Sequence, residues 1–127
     1  MKLLKIFAAT ILLAGAALYL TIANAESYDF PSYSEQAFNQ ADTTVLVDVY
    51  APWCSTCRAQ SKALNQLSAE YPHIKILRID YDSDKDFAME KFKAARSTLI
   101  LFKAGKEIDR LVAVKDPAAI KALLAQG

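Results

Sequence analysis

The run Thr44-Val45-Leu46-Val47-Asp48-Val49-Tyr50 constrains this chain more than any other segment. It is rich in β-branched side chains and apolar at nearly every position, the pattern of a strand buried on both faces in a parallel sheet. Asp48 is the one charge inside it. An unpaired carboxylate on such a strand is expensive to bury and its pKa is expected to rise, unless Asp48 faces an edge and stays hydrated. After the run the periodicity changes. Cys57, Gln60, Leu64, Leu67 and Tyr71 fall at helical spacing, and Pro72 is placed to stop the helix. The intervening Ala51-Pro52-Trp53-Cys54 is therefore a strand-to-helix junction.

The same alternation continues through the chain. Ser32-Tyr33-Ser34-Glu35 has the S-x-x-E form of a capping box, predicting a short helix from about Tyr33 to Ala41. Ile74 to Ile79 reads as a strand, and Asp84 as the N-cap of a helix reaching about Ala94. Thr98 to Phe102 and Ile108 to Val114 flank Lys103-Ala104-Gly105-Lys106, a hairpin signal, and Asp116-Pro117 opens a last helix. No repeat, low-complexity tract or long linker interrupts the pattern. One α/β domain with a mixed sheet covered by helices is expected.

Both cysteines of the chain, Cys54 and Cys57, lie at the junction. Two cysteines cannot build a disulfide framework, and a loop this short stabilises by only about 2 kcal/mol in the chain-entropy model. Structural zinc normally takes four protein ligands, and the chain's only histidine, His73, stands apart as an exposed connector residue. A redox pair fits the spacing best. A metal site would need carboxylates or a second subunit.

The N-terminus bears on compartment. Lys2 and Lys5 precede an apolar or small run from Ile6 to Ile22, and Ala23-Asn24-Ala25 closes it. This is the form of a secretory signal peptide cleaved after Ala25, giving an exported, for example periplasmic, domain over 26–127. An uncleaved segment would instead anchor the chain, since the run approaches the roughly 20 residues that span a bilayer. Without residues 1–25 the chain has 13 basic and 14 acidic side chains. That balance argues against nucleic acid or an anionic membrane as partner and favours proteins or small thiols. Outside the cytosol a disulfide can persist.

Strand, Trp-Cys-x-x-Cys at a helix start, strand, helix, hairpin and final helix together resemble the thioredoxin family, from about Tyr28 to Gly127. Val47-Asp48-Val49-Tyr50-Ala51-Pro52-Trp53-Cys54 is similar to the family's strand with a buried acid ahead of the active site, and Phe102-Lys103-Ala104-Gly105 to its hairpin turn. The resemblance implies a thioredoxin-like α/β fold with helices on both faces of the sheet. It also implies a protein-disulfide oxidoreductase without a cofactor, in which Cys54 and Cys57 alternate between dithiol and disulfide. Asp48 would assist proton transfer with the second cysteine, and Trp53, Ser97 and Thr98 would meet the substrate. The orphan amides and dipole of a helix N-terminus favour a thiolate. Cys54 is thus expected to be the exposed nucleophile and Cys57 the resolving cysteine. Arg58 either adds positive potential there or is a solvated helix charge, and Ser55 and Thr56 are expected to cap the helix rather than donate to a sulfur.

Three departures from the family pattern stand out. The lysine that often accompanies the buried acid is replaced by Ile76, with Lys75 and Arg78 adjacent. Ala95-Arg96-Ser97-Thr98 has no proline where the family has a cis-proline, so a trans peptide is expected at Ser97. Val112 stands where the family's docking surface usually has glycine. The size of the domain leaves no room for an inserted helical domain of the oxidase kind. By analogy this favours a reductant or electron relay, recharged by a membrane-bound thiol carrier. The rival reading is a thiolate metal-binding module, with Cu(I) delivered by the same two cysteines where the proline cover is lost.

Overall fold

The computed structural model describes residues 29–40 and 42–127. The expected signal segment, Tyr28 and Ala41 lie outside the described residues. Strand β1 (Thr44–Tyr50) is central, pairing in parallel with β2 (Ile74–Asp80) and antiparallel with β3 (Thr98–Lys103). Strand β4 (Lys106–Val112) closes the order β2-β1-β3-β4 by pairing antiparallel with β3. The central position of β1 explains its apolar sequence, because both its faces are covered.

Alternation along the strands sorts the core into two layers. Val45, Val47 and Val49 of β1 join Leu77, Ile79, Ile100 and Phe102 on one face, under helices α1 (Glu35–Phe38) and α3 (Lys85–Phe92). Leu46 joins Ile74, Ile76, Leu99 and Leu101 on the other, under α2 (Ser55–Leu67) and α4 (Pro117–Leu124). Helices therefore cover both faces of a mixed sheet, as the sequence predicts. Asp48, Arg78 and the cysteine-bearing α2 share the second face.

Several boundaries differ from the sequence reading, each for a local reason. Helix α1 is one turn long and is capped by Ser34, whose hydroxyl accepts from Ala37 N–H, rather than by Ser32. Residues 31–33 instead run beside β2: Arg78 N–H donates to the Pro31 carbonyl and Tyr33 N–H to the Arg78 carbonyl. Helix α2 stops at Leu67, before Pro72, where Glu70 and Tyr71 donate three residues back in tighter turns. Helix α3 ends at Phe92, with Lys93 in the left-handed region, and Asp84 stands at its N-cap without a side-chain capping bond. The hairpin turns through Ala104 (φ 50°) and Gly105 (φ 77°), both of positive φ as a tight two-residue hairpin requires, so β4 starts and ends two residues earlier than expected. Asp116 and Pro117 begin α4 as predicted, the carboxylate accepting from Ala118 N–H at 3.1 Å.

Candidate active site

The junction between β1 and α2 places the cysteines. Cys54 is the N-cap of α2, and its Sγ accepts from the backbone N–H of Cys57 at 3.2 Å. The capping acceptor is thus the sulfur itself, not Ser55 or Thr56. One turn on, Cys57 faces back toward it, and the two form a disulfide across a Cα–Cα separation of 5.2 Å. Cys54 is not the exposed cysteine that the sequence suggests: it is 5% accessible and Cys57 2%. The pair differs in access of another kind. Cys54 lines a cavity of about 370 Å³ with Trp53, Ser55, Thr56, Arg96, Ser97 and Ala113, whereas Cys57 lies behind it.

Ser97 is what covers the sulfurs. Its Oγ lies 3.1 Å from Cys54 Sγ and 3.3 Å from Cys57 Sγ. No cis peptide occurs among the described residues, as expected at Ser97, but the residue adopts a left-handed backbone with φ 64°. A non-glycine residue is held there only where its surroundings over-determine it. Here its N–H donates to the Val49 carbonyl (2.8 Å), and its carbonyl accepts from Ala113 N–H (2.9 Å) and Gln60 Nε2 (3.1 Å). Gln60 also donates to the Val114 carbonyl at 2.9 Å, tying together the two loops that face the disulfide. The positive φ that favours glycine falls on Ala113 (56°), one residue after the Val112 that the sequence reading singled out.

Asp48 is fully buried, which removes the hydrated-edge alternative. It sits opposite Arg78 in the parallel β1–β2 register, so both side chains emerge beneath α2. Arg78 donates through Nε (3.2 Å) and a terminal nitrogen (3.1 Å) to Asp48 Oδ2, and through that nitrogen to Ser61 Oγ at 2.6 Å. Ser61 in turn donates to the Cys57 carbonyl at 2.9 Å. The guanidinium lies 4.1 Å from the Tyr50 ring centroid and 5.0 Å from that of Phe30. Burial raises the Asp48 pKa, and the Arg78 charge and hydrogen bonds oppose that rise without cancelling it. Asp48 Oδ1 is buried with no hydrogen-bond partner among the described residues.

Of the other expected site residues, Trp53 lies at the mouth of the cavity. The residue is 58% exposed, Nε1 donates to Asp82 at 2.8 Å, and Arg96 stacks over the ring at 4.6 Å. Thr98, expected with Trp53 and Ser97, does not line the cavity. As the first residue of β3 it alternates with Ile100 and Phe102 onto the opposite face of the sheet and is buried. His73 is exposed beside Tyr71, and Arg58 is exposed on α2. Sequence reasoning missed Gln60, Ser61 and Arg96. A polar Gln60 on the buried stripe of α2 was the available signal for the first. Among the described residues no group of three or more His, Cys, Asp or Glu side chains is arranged to hold a metal ion.

A sequence profile described as Thioredoxin matches residues 27–126. The chain belongs to the thioredoxin family. Thioredoxin of Chlamydia trachomatis serovar D is 40% identical over 86 residues, covering 68% of this chain and 84% of that protein. Thioredoxin-1 of Saccharomyces cerevisiae is 38% identical over 84 residues, covering 66% and 81%. Among solved structures, Trxlp from Edwardsiella tarda superposes with a TM-score of 0.69 at 33% identity, over 76% of this chain and 98% of that one. Oxidized mitochondrial thioredoxin 3 from Saccharomyces cerevisiae gives 0.65 at 25% identity, over 76% and 94%. With its Cys54–Cys57 pair at the family's strand-to-helix junction, this thioredoxin-family chain is a protein-disulfide oxidoreductase acting on protein thiols and disulfides.

Proposed function

We propose that the chain is an exported reductant or electron relay for protein disulfides, with Cys54 as attacking and Cys57 as resolving cysteine. The observation that carries the assignment of roles is the position of Cys54 at the N-cap of α2, lining the cavity, with Cys57 one turn behind it. Cys54 thiolate attacks one sulfur of a substrate disulfide, forming a mixed disulfide and expelling the other substrate sulfur as a thiolate. Cys57 then loses its proton and attacks Cys54 Sγ, closing the Cys54–Cys57 disulfide and expelling the second substrate thiolate. The dithiol loses two electrons and two protons, and the substrate gains both. Asp48 is the proton acceptor for Cys57: its pKa is raised by burial, and Oδ1 is free of the Arg78 pairing that occupies Oδ2. Export rests on the Lys-flanked apolar run ending in Ala23-Asn24-Ala25, and a membrane-bound thiol carrier is the electron source consistent with it.

Equilibration of the protein with glutathione tests the direction. A potential well below that of the glutathione pool is expected, whereas one near −120 mV, the DsbA range, would make the chain an oxidant. Cys57→Ser should accumulate mixed disulfides with partner proteins and Cys54→Ser should not. Equal trapping by both would reverse or erase the order of attack.

A further inference from the structure

Ser97 does more than fill the place of a missing proline. Its hydroxyl is buried, lies within hydrogen-bonding distance of both reactive sulfurs, and is carried on a backbone fixed by three hydrogen bonds to β1, α2 and the segment after β4. We propose that Ser97 is a catalytic residue of the exchange reaction, its hydroxyl bridging the reduced pair by donating to the Cys54 thiolate while accepting from the Cys57 thiol. The inference rests on the oxidoreductase reading and adds a residue to its chemistry.

A hydroxyl offers one donor and two acceptor lone pairs, so when one sulfur carries a proton and the other does not it can accept from the first while donating to the second. That is the state of the pair before attack. In the disulfide neither sulfur is charged or protonated, and the contacts are weak. When Cys54 becomes a thiolate the donated bond becomes charge-assisted and strengthens. Ser97 then joins Cys57 N–H, already 3.2 Å from Cys54 Sγ, as a second donor to the charge. The hydroxyl forms and breaks no covalent bond and transfers no electron. Its effect is on the balance between dithiol and disulfide, favouring the reduced form, and on the ease with which Cys54 leaves a mixed disulfide when Cys57 attacks.

Two variants of the full chain separate the hydroxyl from the backbone strain. Ser97→Ala removes the hydroxyl and retains the left-handed strain, whereas Ser97→Gly removes the hydroxyl and relieves the strain. Folding of each is checked by circular dichroism. The pH dependence of Cys54 alkylation by iodoacetamide and the equilibrium with glutathione are then measured. Both variants should lose about tenfold in thiolate population at a pH below the parent's midpoint. Both should favour the disulfide about tenfold more in the glutathione equilibrium, which is about 30 mV for this two-electron couple. Folded variants that retain the parent's alkylation profile and equilibrium would overturn the proposal, and so would a change confined to Ser97→Ala, which would assign the effect to strain. A parent chain that failed to exchange with glutathione at all would instead overturn the oxidoreductase reading itself.

Discussion

The two faces of β1 are built on opposite principles. One face is entirely apolar: Val45, Val47 and Val49 pack against Phe38, Phe92 and Phe102, whose rings meet edge-on at centroid distances of 5.0–5.8 Å. The other carries Leu46 and then buries a carboxylate beside the Arg78 guanidinium, facing Ser61 and Gln60 on the helix that carries the disulfide. Apolar packing stabilises through area and shape and tolerates no charge. A buried ion pair contributes little net stability, yet removal of one partner is severe. The polar face is therefore where the fold gives up stability to place ionisable groups near the sulfurs.

The contrast can be broken from either side. Arg78→Met leaves Asp48 buried without its counter-charge and should destabilise by about 3–5 kcal/mol near neutral pH. Urea unfolding of the parent and the variant measures it, and a loss below 1 kcal/mol would mean that water reaches Asp48. Phe92→Ala should lower stability by a similar amount, about 3–5 kcal/mol, through the cavity it opens. Its glutathione equilibrium should stay that of the parent, because the aromatic layer lies on the far side of the sheet. A shifted equilibrium would show that the faces are coupled.

Asp48→Asn should slow resolution of a mixed disulfide by about 10²-fold, the lower end of general-base effects, in stopped-flow measurements at neutral pH. The same variant has a signature in stability. Since the Asp48 pKa is raised in the folded chain above its ordinary 3.8, the folded state holds that proton more tightly than the unfolded one. The corresponding stability is complete below about 3.8 and is lost as pH rises through the folded value. Asparagine does not titrate, so the variant should gain stability relative to the parent as pH rises across that window. Glu35, whose pKa is lowered by Lys91, acts in the opposite sense but is common to both proteins and cancels in the difference. The smallest effect belongs to neither face: Asp116→Ala removes the cap of α4 and should lower stability by about 1 kcal/mol with no change in exchange rate.

The order of strands and helices, the junction at Cys54 and the cap at Asp116 were legible because each is a local signal of periodicity or capping. The helix-end errors have tertiary causes. Ser32 fits a capping box, but its neighbours pair with β2, and no local pattern carries that. The partner of Asp48 was half legible. Alternation puts Arg78 on the side of Ile74 and Ile76, and Lys75 on the other, but only the register between β1 and β2 sets Arg78 opposite Asp48. Least legible was Ser97. The lack of a proline was visible, but the contact of a hydroxyl with both sulfurs depends on a left-handed backbone fixed by residues more than ten positions away in either direction.

Gln60 joins a single turn of the disulfide-bearing helix to the carbonyls of Ser97 and Val114. The three walls around Cys54 are thereby fastened to one another, and a protein bringing a disulfide to this cleft meets a surface with little freedom to reshape. The adjustment must come from the visitor. Targets whose disulfides sit in segments that detach readily from their own fold should thus exchange fastest with the cysteine pair, and the same sulfurs locked in a rigid target should be passed over.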